Sequence, residues 1–135
     1  MTNVALEGIV ADILPVIREK LKRAGYDVVY SHERAGRHRY ADGVIGLGFE
    51  VGDITNGWLI DQIKVSSPDV VVVCNAAGFM NFFRLYKERK ETLPLIVLTG
   101  GGPEKEDAVR QYTPHVLAVP LQMNELPEKI NEVVR

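Results

Sequence analysis

The side chains able to do chemistry in this chain are few. One thiol, Cys74, closes the apolar run Val70-Val71-Val72-Val73, and the three histidines are His32, His38 and His115. A cysteine at the end of a buried strand, facing the next helix, could act as a nucleophile or a redox sensor. An unpaired cysteine packs equally well as a small apolar residue, and no His or Asp is placed by sequence to activate this one. The histidines are scattered and show no metal-ligand spacing. Gly100-Gly101-Gly102-Pro103 could offer backbone N–H groups to an anion at a helix start. It lacks the Lys-Ser/Thr ending of a phosphate loop, and Glu104 would repel phosphate there, so a tight turn is the simpler reading. The segment from His32 to Tyr40 is locally basic. Arg34, Arg37 and Arg39 interleave with His32, His38 and Tyr40, a composition suited to an acidic partner or phosphate on an otherwise solvated loop.

The elements that must position these groups are clearest in the second half. The apolar runs 70–74, 93–99 and 116–119 alternate with helical stretches, the pattern of a parallel sheet buried on both faces. Ligands of such sheets gather at the carboxyl ends of the strands, which here are Cys74, Thr99 and Val119. Phe79, Phe82, Phe83 and Tyr86 recur at helical spacing and are expected to pack on the sheet. In the first half, residues 3–6 or 8–11 supply a first strand. Residues 13–24 form a helix with Ile13, Val16, Ile17 and Leu21 inward, Asp12 as N-cap and Pro15 in the first turn. Gly25 ends that helix, and residues 26–30 are the second strand. Between 45 and 51, Ile45, Leu47, Phe49 and Val51 alternate with Gly46, Gly48 and Glu50, which predicts an extra strand with one buried face. Residues 56–65 read as a helix with Trp58, Leu59 and Ile63 as its apolar stripe.

The chain resembles the CheY-like receiver domain of bacterial response regulators. Pro68-Asp69 opens a strand as in that family, Thr99 closes the next, and Pro120-Leu121-Gln122-Met123-Asn124-Glu125-Leu126 follows the family's tail. The departures are specific. Cys74 stands where receivers carry the phosphorylated Asp, and Val119 where they carry the switch Lys. The adjacent acidic pair that binds Mg²⁺ in receivers is missing, with Glu7 available in one strand register and Asp12 in the other. The degenerate pocket implied by the resemblance is thus Glu7, Asp12, Cys74, Thr99 and Val119. Residues 32–54 make the crossover longer than a receiver's. That segment and Gly100-Gly101-Gly102 loosely resemble cobalamin-binding domains. Their Asp-x-His-x-x-Gly motif is poorly matched, because Tyr30 lies two before His32 and Gly36 four after it. Cys74-Asn75-Ala76-Ala77-Gly78 also resembles phosphocysteine loops, which need an arginine where this chain has Met80.

At 135 residues the chain can fill one core, so residues 1–135 are read as a single receiver-like domain. A formal charge of −2 without a long run of one sign gives no reason to expect nucleic acid or a membrane surface. No apolar run would span a bilayer, the amino terminus shows no basic-then-apolar signal, and one cysteine fits a reducing cytoplasm. The expectation is an α/β fold, a flavodoxin/CheY-like three-layer sandwich. Its parallel five-stranded sheet would carry an extra β-hairpin or strand near residues 27–52. The expected role is a non-enzymatic pseudo-receiver without cofactor or metal, working through protein partners and as a homodimer. Arg34, Arg37, His38, Arg39 and Phe49 are its candidate interaction surface. The alternatives are a corrinoid- or nucleotide-type ligand at the carboxyl edge of the sheet, or thiol chemistry at Cys74.

Overall fold

The computed structural model describes residues 2–10, 12–34, 53–74, 79–100, 103–118 and 123–134. The alternating segment at 45–51, the second and third glycines of the triplet, and Arg37, His38, Arg39, Phe49 and Val119 lie outside the described residues.

Strand β1 (Asn3–Val10) is longer than either register expected from sequence, because it covers the first and runs on through Val10 of the second. Gly8 makes this possible. Its φ of 65° lies in the left-handed region, and the pairing with the neighbouring strand shifts register between Glu7 and Ile9. Helix α1 (Leu14–Arg23) follows, with Leu14, Ile17 and Leu21 buried at successive turns. Two expectations are corrected here. Asp12 does not cap this helix: the N-cap is Ile13, with no side-chain cap hydrogen bond, because the helix begins one residue later than expected. Val16 is 46% exposed and Leu14 takes its inward place, the i, i+3, i+7 spacing being set by Leu14. The helix stops in a Schellman motif. Gly25, at φ 85°, donates to Lys22 O, and Tyr26 donates to Leu21 O.

Strand β2 (Asp27–Arg34) runs four residues further than the sequence suggested, taking in His32, Glu33 and Arg34. After it come α2 (Asp53–Val65), β3 (Val70–Cys74), α3 (Phe79–Glu88), β4 (Leu95–Thr99), α4 (Pro103–Arg110) and β5 (Val116–Ala118). A 3₁₀ turn (Met123–Glu125) and α5 (Leu126–Val133) complete the chain. Strand β4 starts two residues later than the apolar run, since Pro94 cannot donate to a ladder. On α2 the inward stripe is Leu59, Ile60 and Ile63, whereas Trp58 is 58% exposed. The sequence stripe was therefore rotated by about one residue.

Among the described residues the sheet has five strands, all parallel, in the order β2-β1-β3-β4-β5, with β1 at the reversal point. This is a flavodoxin-like α/β sandwich, with the strand order of CheY-like proteins. Right-handed crossovers put α1 on one face of the sheet and α2, α3 and α4 on the other. Helix α5 returns to the α1 side, where Tyr26 Oη donates to Pro127 O at 3.0 Å and Lys20 Nζ to Asn124 Oδ1 at 2.6 Å. On the other face Arg89, just beyond α3, donates to Asp61 Oδ1 of α2 at 2.7 Å. Every residue of β3 and β4 is buried, as expected of central strands covered on both sides. Phe82, Phe83 and Tyr86 of α3 fill the space above them, Phe82 edge-on to Phe83 with centroids 6.1 Å apart.

Candidate functional site at the carboxyl edge

Buried polar side chains are scarce among the described residues: Glu7, Thr99 and Thr113. Glu7 is the demanding one, because a carboxylate withdrawn from water needs hydrogen-bond donors around it. The sheet supplies them from β2. Glu7 pairs with His32 and Ala5 with Tyr30, so the period of two puts Glu7, Tyr30 and His32 on one face near the carboxyl ends of β1 and β2. Tyr30 Oη donates to Glu7 Oε1 at 2.9 Å, and His32 Nδ1 lies 2.6 Å from Glu7 Oε2. Each carboxylate oxygen therefore has its own donor, one phenol and one imidazole.

The electrostatics follow from this geometry. The hydrogen bond to Glu7 is the main reason that the imidazole of His32 holds its proton above the ordinary histidine pKa, with partial burial opposing it and the Glu7 charge reinforcing it. Burial, followed by the Glu7 charge, pushes the Tyr30 phenol far above its usual range, so it serves only as a donor. The His32 side chain remains 35% exposed, whereas that of Glu7 is 1% exposed. The arrangement is a buried acceptor that orients a half-exposed, proton-holding imidazole.

The register also fixes where the other sequence candidates stand. Glu7 pairs with Val73, Val73 with Val97, and Cys74 with Leu98. Alternation then places Thr99 on the Glu7 face and Cys74 on the opposite face of the sheet. Asp12 sits exposed in the turn before α1. Of the two acidic alternatives, Glu7 is the one inside the sheet. Cys74 is 5% exposed and Thr99 is 1% exposed. Arg34 ends β2, and its side chain is not described. Among the described residues, no group of three or more His, Cys, Asp or Glu side chains is placed to hold a metal ion, and no helix is long and apolar enough to cross a membrane.

The assignment of His32 to a solvated basic loop is corrected: it is a strand residue bound to a buried acid. Tyr30 was missed as a site residue. Its spacing of two from His32 would have put both on one face had the strand been extended through Arg34, but only the register shows that this face carries Glu7. No protein-family model matches the chain, and no curated protein matches it.

Proposed function

We propose that this chain is a pseudo-receiver, a non-enzymatic signalling module that keeps the CheY-like architecture and acts through protein–protein contacts, without an aspartyl phosphorylation switch. The observation that carries this reading is the state of Glu7. A phosphorylating receiver needs carboxylates that converge on Mg²⁺ with oxygens open to the cation. Glu7, the buried acid among the described residues of this sheet, has one oxygen engaged by Tyr30 and the other by His32. The thiol at the phosphoacceptor position lies on the other face and cannot form an acyl phosphate. With that acid satisfied internally, surface recognition is the function this reading favours. Trp58, more than half exposed on α2, offers an apolar contact point for a partner, and a second copy of the chain is the partner we favour.

Incubation with acetyl phosphate and Mg²⁺, followed by intact-mass spectrometry, tests this. The expected result is an unmodified mass. A stoichiometric phosphoryl adduct would overturn the proposal.

A further inference from the structure

Helix α2 has an apolar pair on the side turned away from the sheet. Leu59, Ile60 and Ile63 face inward, and Trp58 and Val65 stand opposite them. Seven residues make two turns, so Trp58 and Val65 share nearly one line along the helix. Trp58 is 58% and Val65 79% exposed, and among the described residues the other exposed large apolar residue is Val16 of α1. Single exposed apolar residues need no explanation, whereas two aligned on one helix face suit a contact surface.

The surface between them is polar but balanced in charge. Asp61 and Gln62 lie there, both exposed. Arg89, just beyond α3, donates from Nη2 to Asp61 Oδ1 at 2.7 Å and from Nη1 to Gly57 O at 3.2 Å. Lys64, at the flank, pairs with Glu91 Oε1 at 2.9 Å. Among the described residues, the charges beside the apolar pair thus have their counter-ions within the protomer. A charge-balanced surface with an exposed indole has the composition of an interface core.

The face is also complementary to itself. A second α2 laid antiparallel across it, about a twofold axis level with the step from Asp61 to Gln62, sets Trp58 against the partner's Val65 and Val65 against the partner's Trp58. That axis lies in the contact plane, so each flank of the helix meets the same flank of its partner. Gln62 then meets the partner's Gln62, and two side-chain amides can exchange N–H···O bonds. Asp61 meets the partner's Asp61, with both Arg89 guanidiniums alongside to alternate the charges. We propose that α2 packs antiparallel on the α2 of a second copy. This rests on the reading above that a second copy is the partner, and it assigns the contact. Two apolar side chains per protomer make a small interface, so the dimer is weak and reversible.

Sedimentation equilibrium from about 10 μM to about 1 mM spans the affinities of such a contact. The unaltered protein is expected to convert from monomer to dimer in that range. Val65→Lys, at an exposed position, should weaken the association at least about tenfold, while Val16→Lys on the other face of the sheet leaves it unchanged. Orientation is read by oxidative cross-linking in the Cys74→Ala background. In the antiparallel pair Gln62→Cys lies at the axis and should form the disulfide dimer. The two Val65 positions stand about 10 Å apart along the helices, beyond disulfide reach, so Val65→Cys should not. A dimer unaffected by Val65→Lys, or cross-linked through Val65→Cys and not Gln62→Cys, overturns this contact and leaves the homodimer reading intact. A monomer throughout overturns both, and the pseudo-receiver reading is decided separately by the phosphorylation assay.

Discussion

Replacing Glu7 by Gln keeps the shape of the side chain and removes its charge, which isolates what the carboxylate does for His32. In the native protein the folded-state pKa of His32 is raised, so the proton it holds stabilises the fold fully below the unfolded value of about 6.5. That contribution declines as pH rises through the folded pKa. One proton bound in the native but not the unfolded state gives a slope of about 1.4 kcal/mol per pH unit in that window. The side chain is 35% exposed, so solvent screening reduces the shift, which narrows that window and lowers the total contribution. In Glu7→Gln the amide can still pair with Tyr30 Oη and with the opposite tautomer of His32. The main cause raising the pKa is then gone, while burial, which lowers it, remains. We expect the variant to lose about 1–2 kcal/mol at acidic pH, the value of a charge-assisted hydrogen bond replaced by a neutral one. Its loss should shrink as pH rises, because the native protein gives up its advantage as His32 deprotonates. Urea unfolding of both proteins from pH 5.5 to 8.5, with the His32 ring followed by NMR, makes the comparison, and groups common to both cancel in the difference. A pH dependence that is the same in the two proteins, or a His32 ring that titrates alike in both, would refute the assignment of the Glu7–His32 pair.

Cys74→Ala should cost about 1 kcal/mol, a small core truncation, and native Cys74 should label more slowly with thiol reagents than a free cysteine, because it is buried. Labelling faster than a free thiol at neutral pH would point to an activated cysteine. Thr113→Val removes a buried hydroxyl that donates to Leu95 O at 2.9 Å and accepts from the His115 amide. It should cost about 2 kcal/mol in urea unfolding with an unchanged denaturant slope. Trp58 is the single tryptophan, so its fluorescence reports self-association directly. A homodimer using α2 predicts a blue shift with increasing concentration that Trp58-independent light scattering reproduces, whereas a monomer at all concentrations contradicts it.

The central strands were readable because Val70-Val71-Val72-Val73 and Leu95-Ile96-Val97-Leu98 are apolar at every position, a pattern that burial on both faces imposes. The end of α1 was readable for the same kind of local reason, since Gly25 supplies the left-handed residue that a Schellman motif requires. The site was legible only in part. Glu7 sits among Val4, Ala5, Leu6, Ile9 and Val10 and was a candidate for the pocket, but its two donors come from a strand that begins twenty residues later. Polar residues such as Ser31, His32 and Glu33 lowered the apparent strand character of β2, which among the described residues is an edge strand with less to bury, and so Tyr30 and His32 were separated by an element boundary that does not exist. Trp58 misled for the opposite reason: the most apolar ring on α2 was assumed to face inward, while the spacing of Leu59, Ile60 and Ile63 decides the orientation of the helix.

The place of β1 in the sheet has a consequence for how the chain is made. Val4 pairs with Val28 on one side and with Val70 on the other. On a translating ribosome the first partner emerges early, but the second follows some forty residues later, a gap of roughly 2–8 s at ordinary synthesis rates. For that interval Val4, Leu6 and Ile9 flank an open row of backbone donors and acceptors, the kind of edge that recruits other nascent chains. A chaperone holding the emerging polypeptide would find its target there, and a transcript truncated before Val70 would encode a product with no native means of covering its own first strand.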